Sequence, residues 1–119
     1  MQKIESLKKE SEFKRLYKKG ASFANKQLVL IILKNNLEIN RLGIVISKKF
    51  GKANKRNRCR RLIKESYRSF GQNIKMGYDI IIIPRAEAPD DFWKIKSSLS
   101  HLLRKQNLLV TSYELRVTN

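Results

Sequence analysis

The chain is poor in several residue types, and each shortage excludes a class of protein. It has one cysteine, two prolines and one histidine in 119 residues. A lone Cys59 can neither close an intramolecular disulfide nor furnish a cysteine-rich metal site, so a reducing cytoplasm is the expected compartment. Prolines stand only at 84 and 89, and no Pro/Gly/Ser-rich stretch or internal repeat breaks the chain, so a single domain over 1–119 is expected. The longest unbroken apolar run, Leu28 to Leu33, is six residues, far short of the ~20 that cross a bilayer. Met1 to Ser6 contain no apolar stretch of the kind that opens a secretory signal. Acids are scarce and scattered: ten Asp and Glu, with Asp90-Asp91 the one adjacent pair. A protein nuclease needs clustered carboxylates for metal ions, or a histidine with a nucleophile or acid beside it. Asp90-Asp91 reads instead as a helix start, and His101 falls inside a helix. No catalytic residue and no protein-held metal are expected, and Cys59 reads as a small buried hydrophobe.

What the chain has in excess is positive charge, 27 Lys and Arg for a net +17. Such a surplus repels itself and weakens the compact state. A polyanionic partner resolves the conflict, and nucleic acid leads the candidates. The distribution sharpens the inference. Between Lys48 and Arg68 stand ten basic residues and one acid, Glu65. A merely solvated helix face mixes both signs.

Periodicity places this cluster. Phe13, Leu16 and Tyr17 share one face of a helix expected over Leu7 to Lys19, with Gly20 as its stop. Leu28 to Leu33 and Leu42 to Ser47 read as strands, most simply an antiparallel pair across the Asn35–Asn40 turn. A second helix is expected over Lys55 to Phe70, with Asn54 as N-cap and Gly71 as stop. A third strand covers Asp79 to Ile83. A third helix runs from Asp90-Asp91 to about Gln106, burying Phe92, Ile95, Leu99, Leu102 and Leu103. A last strand fits between Leu108 and Val117. The order αββαβα, with an optional final β, predicts an α+β, two-layer α/β sandwich.

On the second helix, 100° per residue gathers Cys59, Leu62, Ile63, Ser66, Tyr67 and Phe70 into one stripe facing the sheet. Asn57, Arg61, Lys64 and Arg68 point away from it. Arg56 and Arg60 run along one border and Arg58 along the other. Lys55, Arg56 and Arg58 crowd the first turn, where the helix dipole favours anions. A bound phosphate reverses that conflict, because backbone amides, dipole and guanidinium forks converge on it.

The stretch Ser47-Lys48-Lys49-Phe50-Gly51-Lys52-Ala53-Asn54-Lys55-Arg56-Asn57-Arg58-Cys59-Arg60-Arg61-Leu62-Ile63-Lys64-Glu65 resembles the signature of the bacterial ribonuclease P protein subunit family. Phe13 to Gly20, Tyr78 to Arg85 and Leu99 to Lys105 extend the resemblance over nearly the whole chain. It implies a fold like domain 2 of ribosomal protein S5, with a left-handed βαβ crossover. It implies an RNA-binding subunit that assists a catalytic RNA in cutting the 5′ leader from precursor tRNA, with Mg²⁺ held mainly by the RNA. The partners implied are the catalytic RNA and precursor tRNA, with no membrane and no required protein partner. On the RNA side it places Arg56, Asn57, Arg58, Arg60, Arg61 and Lys64, flanked by Lys48, Lys49, Lys52, Asn54, Lys55 and Arg68. In a leader cleft it places Phe13, Tyr17 and Ile31; ordinary core packing is the competing reading of Phe13 and Tyr17. A ribosomal or general RNA-binding protein without a role in tRNA processing is the alternative function. A basic helix lying on a membrane surface is a third, weakened because its apolar stripe is needed for the sheet.

Overall fold

The computed structural model describes residues 4–110. Its elements are β1 (Glu5–Ser6), α1 (Glu10–Lys19), β2 (Ala21–Ala24), β3 (Leu28–Lys34), β4 (Arg41–Ile44), α2 (Ala53–Phe70), β5 (Tyr78–Pro84) and α3 (Phe92–Lys105), with 3₁₀ turns at Lys48–Phe50 and Gly71–Asn73. The strands form one mixed sheet in the order β1-β4-β5-β3-β2. The mixed α+β class is as expected.

Three features of the topology differ from expectation. First, β3 and β4 are not a pair, because β5 lies between them. It runs antiparallel to β3, from Leu28↔Pro84 to Lys34↔Tyr78, and parallel to β4, from Arg41↔Asp79 to Ile44↔Ile82. The four consecutive isoleucines of β5 need cover on both faces and neighbours on both edges, which only a central strand has. β4 and β5 are thus adjacent, parallel and joined through α2. Second, helices cover both faces. Leu28, Leu30, Ile32, Ile80 and Ile82 pack with Cys59, Ile63 and Phe70 of α2 and Ile95, Leu99 and Leu102 of α3. Ile31 and Ile81 point the other way, to Leu16 of α1 and to Leu7. A strand alternates its side chains, so an unbroken aliphatic run demands two apolar layers, and the two-layer expectation becomes a sheet flanked on each side. Third, β1 and β2 were not foreseen. β1 is two residues paired with β4. β2, Ala-Ser-Phe-Ala, is exposed throughout and takes its form from pairing with β3.

The helix ends show which starts are built for stability. α1 begins at Glu10, not Leu7, because the Glu12 carboxylate accepts from the amides of Lys8 (3.1 Å) and Lys9 (2.9 Å). Leu7 stays extended and buried, its amide bonding the Leu42 carbonyl at 3.0 Å. In α3 the Asp91 carboxylate accepts from the Lys94 amide at 2.9 Å, a side-chain cap as anticipated. Its buried stripe is Ile95, Ser98, Leu99, Leu102 and Leu103; Phe92 is only half-buried, its ring edge-on to Trp93. α2 starts at Ala53, so Asn54 sits in the first turn, and the N-cap is Lys52, which makes no side-chain capping bond. Of the expected last strand, Leu109 forms an antiparallel bridge with Ile74, and residues 111–117 lie outside the described residues.

Gly43 makes one close approach possible. A Cβ there would fall 2.6 Å from the Phe13 ring, so the bare backbone of β4 lets α1 settle on the sheet edge.

Candidate nucleic-acid interface

α2 carries the interface because its inner stripe locks it in place. Cys59, Leu62, Ile63, Ser66 and Phe70 are buried against the sheet and α3. Burial pushes the Cys59 thiol up from its ordinary pKa, with nearby Arg60 and Lys55 opposing, so the thiol is inert packing. Asn54, Lys55, Asn57, Arg58, Arg61 and Lys64 are exposed, and Arg56 and Arg60 are half-buried along the border. Lys48 and Lys49 extend the row from the 3₁₀ turn, and Lys52 joins turn to helix. The first turn contains no acid.

The turn is tied to the helix by the motif itself. Arg56 donates from Nη1 to the Gly51 carbonyl at 2.7 Å, and the Lys55 ammonium lies 4.8 Å from the centroid of the Phe50 ring. Arg58 pairs with Asp90, the neighbour of the α3 cap. That pair is exposed on both sides, at 52% and 70%, and such a contact contributes at most about 1 kcal/mol. A phosphate can displace Asp90 at little cost.

Arg68 departs from the wheel. The wheel puts it on the outer face, yet it is half-buried, and among the described residues its buried Nε has no hydrogen-bond partner. The cause lies outside the helix: Ile4, Glu5, Ile39 and Met76 line a groove with Tyr67, Arg68 and Gly71 at the last turns of α2. The free cationic face therefore runs from Lys48 to Lys64 and stops before Arg68.

The three leader-cleft candidates divide. Phe13 is half-buried, and it lines a groove with Gly43, Ile44, Arg60 and Lys64. The sheet edge thus brings one aromatic of α1 together with two cations of α2. Tyr17, one turn on, is 52% exposed. Ile31 is buried: at 7% exposure it packs with Leu7, Leu16 and Ile81. An aliphatic side chain at that register takes the cover α1 offers.

One constellation escaped the sequence reading. Arg41 of β4 grips Asp79 of β5 with two hydrogen bonds of 2.7 Å and reaches Glu12 of α1 through Nη1. Asn35 donates to Asp79 at 3.0 Å. Burial alone would raise the Asp79 pKa, but the bonds from Arg41 and Asn35 outweigh it and hold the carboxyl below its ordinary value. Glu12 is also held low, chiefly by the amides of Lys9 and Lys8 and then by Arg41. The network fixes α1, and with it Phe13, to the sheet. The signal was available: an aspartate opening a strand of four isoleucines needs a buried cation.

His101 is exposed on α3, near Lys94, Ser97 and Ser98. Among the described residues no three of His, Cys, Asp and Glu come together in a way that could hold a metal ion, and no helix is long and apolar enough to cross a membrane.

The chain, with its cationic helix behind a strand and a glycine turn and with Asn57 and Arg58 of the Arg-Asn-Arg run exposed, matches known proteins along almost all of its length. The family model for Ribonuclease P matches residues 1–107. The chain belongs to the ribonuclease P protein family. It is 47% identical over 110 residues to the ribonuclease P protein component of Clostridioides difficile, covering 91% of this chain and 96% of that one. The component from Alkaliphilus oremlandii is 44% identical over 110 residues, covering 92% and 96%. Among solved structures, the Staphylococcus aureus RNase P protein superposes with a TM-score of 0.82 at 38% identity, covering 91% of this chain and 100% of that one. The Thermotoga maritima RNase P protein gives 0.76 at 35% identity, covering 85% and 96%. A ribonuclease P protein thus carries its cations on the exposed face of α2, with Phe13 across the sheet edge.

Proposed function

We propose that the chain is the RNA-binding subunit of ribonuclease P, working in the cytoplasm beside a catalytic RNA in removing the 5′ leader of precursor tRNA. The observation that carries this reading is the cationic row from Lys48 to Lys64, presented by a helix whose opposite face is fixed in the core. That row docks on the phosphates of folded RNA. Arginine supplies bidentate forks, and Asn57 can donate to phosphate or accept from a 2′-hydroxyl. The groove with Phe13, Arg60 and Lys64 receives the single-stranded leader, where an aromatic face stacks on any base, and exposed Tyr17 offers a second face nearby. In this reading β4–α2–β5 is the left-handed crossover of the S5-like fold that the resemblance implies. In this reading Mg²⁺ is held mainly by the RNA, and no second protein is needed.

The test is reconstitution. The protein, ribonuclease P RNA, precursor tRNA and Mg²⁺ should give a single cut at the mature 5′ end, at a salt concentration where the RNA alone is slow. Arg58→Ala or Arg61→Ala should weaken assembly, and His101→Ala should leave cleavage intact. With the RNA present, precursor tRNA should bind much more tightly than mature tRNA; equal binding would favour a general RNA-binding protein. One solved S. aureus relative is described as a mutant with defective mRNA degradation activity, so a protein-only arm belongs in the assay. Cleavage in that arm that is lost with His101→Ala would overturn the division of labour.

A further inference from the structure

α2 has two flanks, and the groove with Phe13 occupies one of them. On the other, a cavity opens between the start of the helix and the segment before α3. Its walls are the Phe50 ring, Cys59 and Leu62 from α2, and Ala88 and Pro89. Its rim is charged: Lys55, Arg58 and Asp90. It encloses about 230 Å³, smaller than the roughly 300–1,000 Å³ of a drug-sized ligand site and therefore suited to a small group such as a single base.

The position of the cavity is informative. Cys59 and Leu62 are 6% and 8% exposed, so the floor is nearly dry. The cavity reaches the Arg-Asn-Arg run at Arg58, near the start of α2, where the helix N-terminus and the cations Lys55 and Arg58 favour an anion. An apolar slot with cations at its lip matches an aromatic ring carrying a phosphate. Lys55 already holds its ammonium 4.8 Å from the Phe50 ring centroid, which keeps that charge beside the slot. Among the described residues Arg58 pairs with Asp90, in an exposed pair that a phosphate can replace.

We propose that this cavity receives the base of one unpaired RNA nucleotide, while Lys55 and Arg58 take its phosphate. The proposal rests on the reading of α2 as an RNA-binding helix and adds to it a place where the helix does more than touch the backbone. Stacking on an aromatic residue is sequence-tolerant, so the slot rewards an unpaired nucleotide at that point of the RNA whatever its base. A nucleotide held in a duplex would have to leave its stack first.

The experiment uses the full chain with methyl-labelled alanine and leucine, titrated with 5′-AMP, ribose 5-phosphate and inorganic phosphate. AMP should shift the methyl resonances of Ala88 and Leu62 through the ring current of its base. The two sugarless or baseless anions should move only signals from the first turn of α2. In Ala88→Leu, a larger side chain fills the slot; the AMP-specific methyl shifts should vanish while the ribose 5-phosphate response persists. If AMP leaves the Ala88 and Leu62 methyls where ribose 5-phosphate leaves them, the base pocket is overturned and the RNA-binding helix stands. If none of the three ligands moves α2, the RNA-binding reading falls with it. AMP-specific shifts that survive unchanged in a folded Ala88→Leu also overturn the proposal.

Discussion

The molecule uses arginine in two opposed ways. Arg41 of β4 reaches between β5 and α1, its guanidinium spent on Asp79 and Glu12. Across the sheet, Arg61 and Lys64 stand exposed on α2, and Arg58 has one exposed carboxylate beside it. The first region pairs a nearly buried carboxylate with a cation; the second displays charge where water, and then a partner, can reach it. The helix starts repeat the contrast. α3 is capped by Asp91, whereas α2 opens with Lys52 and no acid in its first turn. Matched charge marks the parts that hold the fold, and unmatched charge marks the surface that awaits an anion.

The sharpest way to break this contrast is to remove the unmatched side. The triple variant Arg58→Ala, Arg61→Ala, Lys64→Ala should lose roughly 100-fold or more in RNA affinity, and its log–log salt slope should flatten by about 2–3 units if each residue meets one phosphate. Its melting temperature should hold or rise at low salt, because three cations leave a self-repelling chain. Filter binding across a salt series, with calorimetry on the free protein, reads both. An unchanged salt slope would mean that these side chains meet no phosphate.

Attacking the matched side should give the reverse profile. Asp79→Asn leaves Arg41 without its bidentate partner and should cost about 2–4 kcal/mol of stability, while phosphate binding by the folded fraction stays near normal. The same network predicts a pH dependence. The pKa values of Asp79 and Glu12 are depressed in the folded state, so the unfolded chain takes up protons first as pH falls. Their contribution is complete above the ordinary values of 3.8 and 4.5 and is lost as pH drops through the lower folded values. Denaturant melts from pH 6 to pH 3 should show wild type losing stability and Asp79→Asn losing less.

The two regions were unequally legible in the sequence. The α2 surface could be read because helical periodicity is local: the stripe of Cys59, Leu62, Ile63, Ser66 and Phe70 falls where 100° per residue puts it. Arg68 failed the same rule because its burial comes from Ile4, Ile39 and Met76, distant in sequence. Strand order was hidden for the same reason. Nothing near Leu33 or Leu42 announces that β5, some forty residues on, will slide between them. The two-layer expectation missed the coverage of both faces that unbroken aliphatic strands require, and the Asp79 among isoleucines, which needs a cation beside it, does not say which segment supplies one. Ile31, expected in a cleft from the resemblance alone, is buried with Leu7, Leu16 and Ile81, contacts that come from segments its own strand does not announce.

The smallest expected effect is the most telling, because it sets the two helix starts against each other directly. Asp91→Ala removes the side-chain bond to the Lys94 amide and should cost about 1 kcal/mol, with no effect on RNA. Lys52→Asp supplies α2 with the cap it lacks and should add about 0.5–1 kcal/mol. The same change puts a carboxylate on amides that are otherwise free for a phosphate, so RNA affinity should fall several-fold. A variant that is more stable and binds less well would show that the α2 start is left uncapped because its ligand completes it. If Lys52→Asp gained stability and bound RNA as before, the open helix end would be incidental, and binding would belong to the side chains alone.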